Sequence, residues 1–301
     1  MISIRSSVIA VPPLCRDAEW RVQSEENVRL IRHIESGGVR ILLYGGNANF
    51  YHIRLSEYAA TLNMLAESAA PGTEIIPSAG PSYGVSMDQA AIVRDLPFPS
   101  VMVLPHTGLN TPDGVATGLR HFAEAYGRPI VVYLKAENYL TPALTGALVR
   151  DGLVARVKYA IVRSDPAQDA FLDELTQSVD PSMIVSGMGE QPVVQHLRDR
   201  KLGGFTSGCV CIAPRLSTLL LEACHVGDWD EVSRIRALFH PLESLRDTIN
   251  PVRVLHEAVA LTGVAATGPH LPLLSGISID QQTAVQSAAM ALLTMNAAQR
   301  A

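Results

Sequence analysis

Eight short runs of β-forming residues recur along this chain, and amphipathic stretches separate them at intervals of roughly 20–40 residues. The runs are Ser7–Val11, Val39–Tyr44, Thr73–Ile76, Ser100–Leu104, Ile130–Lys135, Val154–Lys158, Met183–Ser186 and Phe205–Val210. Helical patterns fall at Glu25–Ser36, Ser56–Ala69, Asp113–Tyr126, Thr141–Arg150, Gln168–Val179 and Gln191–Lys201. This alternation predicts an α/β fold of the (β/α)8 TIM barrel type. A doubly wound open sheet needs a glycine-rich phosphate turn after its first strand, and Val11-Pro12-Pro13-Leu14 is nothing like one.

After the eighth run, residues 214–301 read as mostly helix, with breaks near Gly227, Pro241, Pro251 and Gly268–Pro272. That is more than one closing helix needs. Residues 1–213 are therefore expected to supply the barrel. Residues 214–301 supply its last helix and a C-terminal helical extension, all in one structural unit. A chain of 301 residues with 48% hydrophobic content has ample material for such a core.

The formal net charge is −5 and no basic stripe appears, so nucleic acid is not an expected partner. The spacing Cys209-x-Cys211 is not a zinc spacing, and the histidines form no HExxH or His/Cys cluster; no protein-bound metal is expected. The four cysteines read as buried thiols. The apolar run Val8 to Val11 ends at Pro12-Pro13, too short for a signal-peptide core, and no apolar stretch approaches ~18 residues. A cytoplasmic protein without membrane contact is the simplest expectation.

Lys158 sits in the middle of the apolar run Leu153 to Val162. A free lysine, with a pKa of about 10.4, is only ~0.04% unprotonated at neutral pH. Burial in an apolar strand disfavours the ammonium, and the neutral amine can attack a carbonyl to form a Schiff base. A surface lysine on an edge strand is the alternative reading.

In such barrels chemistry sits at the C-terminal ends of the strands. Those ends carry Gly45-Gly46-Asn47-Ala48-Asn49, Pro105-His106-Thr107-Gly108, Tyr133 with Lys135, Lys158, Ser186-Gly187-Met188-Gly189 and Phe205-Thr206-Ser207-Gly208-Cys209. Tyr133 and Lys135 share a face, because side chains alternate along a strand. An inward Tyr133 brings its hydroxyl to the Lys158 amine as a proton carrier. Gly46 and Asn47 suit an oxoacid carboxylate through backbone N–H groups and the Asn47 amide. Ser207 is expected to hydrogen-bond substrate, and Lys135, Asn138 or His106 to read its distal end. Arg156, two residues before Lys158, should share the inward face. It then needs a carboxylate partner, from protein or substrate, or else a bulge re-aims the strand.

These residues, in this order, resemble the dihydrodipicolinate synthase / N-acetylneuraminate lyase family of class I aldolases over most of the chain. The family's strand-two turn and helix start look like Gly45-Gly46-Asn47-Ala48-Asn49 followed by Ser56-Glu57-Tyr58. Its strand-five tyrosine falls on Tyr133 and its Schiff-base lysine on Lys158. Its strand-eight glycine region is similar to Leu202-Gly203-Gly204-Phe205-Thr206-Ser207-Gly208. Its late Asn-Pro helix resembles Asn250-Pro251-Val252-Arg253-Val254, and its Pro-Leu ending Leu271-Pro272-Leu273.

The departures matter. Gly46-Asn47 stand where the synthase uses two threonines, and Asn49 replaces a glutamate. His106-Thr107 stand where it has a tyrosine pair, one donated across a subunit interface. Leu134-Lys135-Ala136-Glu137-Asn138 lacks its substrate-binding arginine. Tyr159 follows the lysine where an acidic residue is common. Of the synthase's proton relay, the motif positions retain only Tyr133. The strand-five segment looks closer to the 5-dehydro-4-deoxyglucarate dehydratase branch.

The resemblance implies a lyase that forms a lysine imine with a 2-oxoacid, as a pyruvate-type aldolase or a dehydratase of a deoxy-oxo-sugar acid. It implies no cofactor beyond the covalent imine, a small-molecule substrate, and a homo-oligomer, dimer or tetramer. A true 4-hydroxy-tetrahydrodipicolinate synthase is one alternative. A non-catalytic oxoacid-binding or sensory protein on the same barrel is another.

Overall fold

The computed structural model describes residues 1–299 as a closed ring of parallel strands wrapped in helices. The strand order is β3-β2-β1-β9-β8-β7-β6-β5-β4. In chain order the strands are β1 (Ile9–Ala10), β2 (Ile41–Leu43), β3 (Glu74–Ile76), β4 (Ser78–Ala79), β5 (Met102–Val103), β6 (Ile130–Leu134), β7 (Val154–Tyr159), β8 (Ile184–Ser186) and β9 (Gly204–Ser207). Strands β3 and β4 are halves of one barrel strand, divided at Pro77, which has no N–H to donate. The first half pairs with β2 and the second with β5, and the Pro77 carbonyl accepts from the Met102 N–H at 2.9 Å. The ring thus has eight staves, and the fold is a (β/α)8 barrel with a C-terminal helical extension.

The connecting helices are α1 (Ser24–Ser36), α2 (Leu55–Ser68), α3 (Tyr83–Val93), α4 (Pro112–Tyr126), α5 (Pro142–Arg150) and α6 (Ala170–Ser178). Thr111 and Thr141 cap α4 and α5 through their hydroxyls, each followed by a proline at the first helical position, where no N–H is missed. The chain closes with α7 (Pro214–Val226), α8 (Trp229–Thr248), α9 (Pro251–Leu261) and α10 (Ile279–Ala298).

Several elements differ from expectation. Helix α3 fills the interval between the third and fourth runs without an amphipathic pattern, because the apolar residues of Tyr83–Val93 surround the helix instead of forming one stripe. The expected helix Gln191–Lys201 is a short π-type turn, Val194–Asp199, tied by His196 Nδ1 to Ser186 Oγ at 2.8 Å. Pro241 does not break the chain but lies inside α8. The break expected near Pro251 is present: α8 ends at Thr248 and Pro251 begins α9, capped by the Asn250 side-chain carbonyl. The eighth stave ends at Ser207, and Cys209–Cys211 forms a 3-10 turn.

Alternation on β7 sends Lys158 inward and Tyr159 outward. The Tyr159 hydroxyl donates to Asp169, and its ring packs against Phe171 and His196 between the helices. Both of the sequence's options for Arg156 are realised. The pairing of β6 with β7 steps from Ile130–Val154 to Val131–Arg156, so Ala155 is a bulge. Arg156 then meets Glu74 of β3 inside the barrel, with Nη1 2.9 Å from Oε1. The Ile2 N–H donates to Glu74 and the Ile2 carbonyl accepts from Arg156. The N-terminal segment therefore completes this buried pair.

Candidate active site

Lys158 and Tyr133 are register partners on β7 and β6, so both side chains leave the sheet on the same face. The Lys158 Nζ stands over the Tyr133 ring, 4.4 Å from its centroid. The observed contact is therefore with the ring face, which attracts a cation through the aromatic quadrupole. Lys158 is 7% exposed. Burial lowers its pKa to about 7, and its two charged neighbours, Lys135 and Arg246, push in the same direction. Burial also pushes the Tyr133 phenol up to about 12, so it carries its proton at neutral pH.

The backbone leaves room for this lysine. Gly187, just past β8, passes so close that a Cβ there would lie 3.1 Å from Lys158 Cε and 2.8 Å from the Tyr159 carbonyl. A side chain at Gly187 would displace the lysine stem.

The other expected residues divide into groups. Gly46 lies open, with only the Tyr51 ring edge 3.8 Å from where its Cβ would be; Gly45 packs against Met102 and Ser78 instead. The Asn47 amide donates to the Val11 carbonyl at 3.0 Å, which ties the strand-two turn to the end of the first stave. Lys135 lies just beyond β6, exposed at the rim, and Asn138 follows it, also exposed. His106 lines a neighbouring cavity of about 820 Å³ with Val103, Phe122 and Tyr139, and its buried Nδ1 has no hydrogen-bond partner among the described residues. Neither Lys158 nor Tyr133 lines that cavity. Ser207, expected to touch substrate, is fully buried. Its Oγ accepts from the Val210 N–H at 2.9 Å, and the hydroxyl bonds to Glu190, so it organises the turn.

Two groups were missed in the sequence. Tyr51, in the 3-10 turn Phe50–His52, lies near enough to Tyr133 and Tyr139 for the three phenols to interact electrostatically. Around Tyr133 the fold thus collects phenols outside the positions that motifs mark. The second group lies behind Ser207. The Glu190 N–H donates to Glu243 Oε1 at 2.9 Å, and Ser217 Oγ donates to Glu190 Oε1 at 3.1 Å. Burial raises the pKa of both carboxyls. Glu190, Cys209 and Glu243 bring potential metal-ligating atoms together. Burial holds the Cys209 thiol well above its ordinary pKa, and the Arg246 guanidinium already hydrogen-bonds its sulfur, supplying the positive charge there.

No family model matches the chain, and no curated protein matches it by sequence. Solved structures do match. The dihydrodipicolinate synthase from Bacillus clausii superposes with a TM-score of 0.84 at 21% identity, covering 95% of this chain and 97% of that one. The synthase from Oceanobacillus iheyensis gives 0.85 at 19%, covering 97% of each. The Ruminococcus gnavus sialic acid aldolase gives 0.84 at 17%, covering 98% and 99%. At these identities the likeness establishes the fold, end to end, including the helical extension. Among the described residues no helix is long and apolar enough to cross a membrane.

Proposed function

We propose that the chain is a lyase whose Lys158 forms a Schiff base with a 2-oxoacid. The observation that carries this reading is a lysine buried on the inner face of a barrel strand, whose charged neighbours among the described residues are the cations Lys135 and Arg246, with a protonated phenol beneath it. An ammonium kept there for structure would have a carboxylate partner. An amine kept neutral is a nucleophile. The superposed structures bear names of a synthase and an aldolase, which supports the same chemistry.

In the proposed sequence the Lys158 amine attacks the ketone carbon and a carbinolamine forms. Tyr133 passes the proton that lets hydroxide leave as water. The protonated imine then draws electrons from the adjacent carbon, so C–C cleavage or dehydration needs no further cofactor. The main-chain N–H groups of Gly46 and Asn47 meet the C1 carboxylate, in a turn that the Asn47 amide holds against the Val11 carbonyl. Aldol cleavage and dehydration share every step up to the imine. Assay of deoxy-oxo-sugar acids for pyruvate release against water loss separates them.

The test is trapping. Pyruvate with borohydride is expected to add one reduced pyruvyl group, mapped by mass spectrometry to Lys158. No adduct on Lys158 with any 2-oxoacid overturns the reading. The pH dependence has a defined sign. The free amine reacts, so trapping rises with pH through about 7 and falls below it. A midpoint near 10 would mean an ordinary exposed lysine.

Tyr133→Phe is expected to keep the ring under the amine but to lose the proton carrier. Turnover should fall by about 10²–10⁴-fold. Slow trapping on Lys158 should survive, and a fall in turnover of less than threefold would remove Tyr133 from the mechanism.

A further inference from the structure

Helix α8, in the extension, sends Arg246 back to the barrel rim. Its guanidinium lies against the two glycine turns that follow β8 and β9. A Cβ on Gly208 would stand 2.9 Å from the Arg246 Cζ and Nη2, and one on Gly189 would stand 3.8 Å from Nη1. The β9 turn is therefore cut away at Gly208 where the guanidinium passes, whereas a side chain at Gly189 would meet the Glu243 carboxylate first. Arg246 is half-exposed, unlike the glutamates below it. Its hydrogen bond runs to the Cys209 sulfur, and its contact with the Pro251 carbonyl is long, at 3.5 Å. Glu190 and Glu243 act on it only through space, while Glu190 is bonded by the Ser217 and Ser207 hydroxyls and Glu243 accepts from the Glu190 main-chain N–H. Among the described residues the guanidinium fork thus has no bidentate carboxylate partner.

From the rim, Arg246 acts electrostatically on Lys158 from the β8–β9 side, and Lys135 does so from the β6 side. Two cations bracket an amine that works only when neutral. A ligand with a neutral far end leaves both uncompensated in a half-buried site. An anionic far end compensates them, and a planar carboxylate matches the guanidinium fork in a way a lysine cannot.

The geometry points to Arg246 as the residue that holds a second carboxylate of the substrate. The substrate class is then a 2-oxo acid with an acid group at its far end. This rests on the Schiff-base reading for what happens at Lys158, but the recognition stands on binding alone.

The test compares 2-oxoglutarate with 2-oxovalerate, equal in chain length and different only in the far carboxylate. Calorimetric binding is measured alongside borohydride trapping on the full chain. Wild type is expected to bind 2-oxoglutarate about 10- to 100-fold more tightly, the worth of a charge-assisted bond. Arg246→Met should erase that preference by weakening 2-oxoglutarate far more than 2-oxovalerate. Arg246→Lys should restore part of it, with the charge kept and the fork lost, and serves if the methionine variant does not fold. Equal binding of the two acids by wild type overturns the inference. So does an Arg246→Met variant that weakens both equally, which would place Arg246 at the shared C1 carboxylate. An Arg246-dependent preference without trapping keeps this inference and removes the Schiff base. Trapping without preference does the reverse.

Discussion

Lys158→Met is expected to abolish imine trapping and turnover, by about 10⁴-fold or more, while making the protein more stable. The two effects have one cause. Unfolded, the lysine titrates near 10.4. Folded, its pKa is about 7, held down first by burial and then by Lys135 and Arg246. Between those values the folded chain binds fewer protons than the unfolded one, so stability rises with pH. The penalty is complete below pH about 7 and is gone above about 10.5. At neutral pH it is on the order of 4 kcal/mol. Methionine has a similar length, no charge to desolvate, and favourable contact with an aromatic edge or face, which Tyr133 offers. Thermal melting at pH 7 should therefore rise by several degrees in Lys158→Met. It should also become less pH-dependent between pH 7 and 10. A variant that loses activity and stability together would show that the lysine is a structural ion whose partner lies elsewhere.

The barrel was legible in the sequence because its signal is repeated. Each stave is short and ambiguous alone, but eight of them separated by helical stretches admit few architectures. Lys158 and Tyr133 were legible for a related reason. A cation inside a β-forming apolar run conflicts with its surroundings, and such conflicts concentrate at functional sites. The third stave was half seen. Pro77 ended the predicted run at Ile76, whereas in the structure the chain resumes as β4 and carries the ring across to β5. Arg246 was invisible for a different reason. It sits on the solvent-patterned helix α8, and the backbone gap at Gly208 lets it reach the rim. No local spacing encodes that approach. Tyr51 was lost in the same way, since a three-residue turn has no periodicity to read. Ser207 shows the converse error. Its position at the rim was foreseen, but its hydroxyl is occupied by Val210 and Glu190, and a strand pattern does not reveal hydrogen bonds across the fold.

Glu74→Leu is the substitution expected to damage the fold most. Arg156 and Glu74 are separated by 82 residues in sequence, and both are nearly sealed from solvent, at 3% and 5% exposure. Each carries the charge the other needs. Their remaining polar capacity goes to the main chain of Ile2. Removing the carboxylate leaves a guanidinium without its counter-charge in a site nearly closed to solvent. Breaking one side of such a pair costs about 3–5 kcal/mol. In a chain of this size that corresponds to a melting temperature lower by about 5–15 °C. Replacing both members, in Glu74→Leu with Arg156→Met, should recover most of the loss, because two apolar side chains of similar volume owe nothing to solvation. The non-additivity between the single variants and the double variant then measures the pair directly. The loss should also reach the chemistry. Arg156 lies two residues before Lys158 on the same inward face, just past the bulge at Ala155. With Glu74 gone, the strand has less to hold that register, and borohydride trapping on Lys158 should slow even below the melting point. A Glu74→Leu variant that melts within about 2 °C of wild type and traps pyruvate at the same rate would show that the bulge alone sets the lysine's aim.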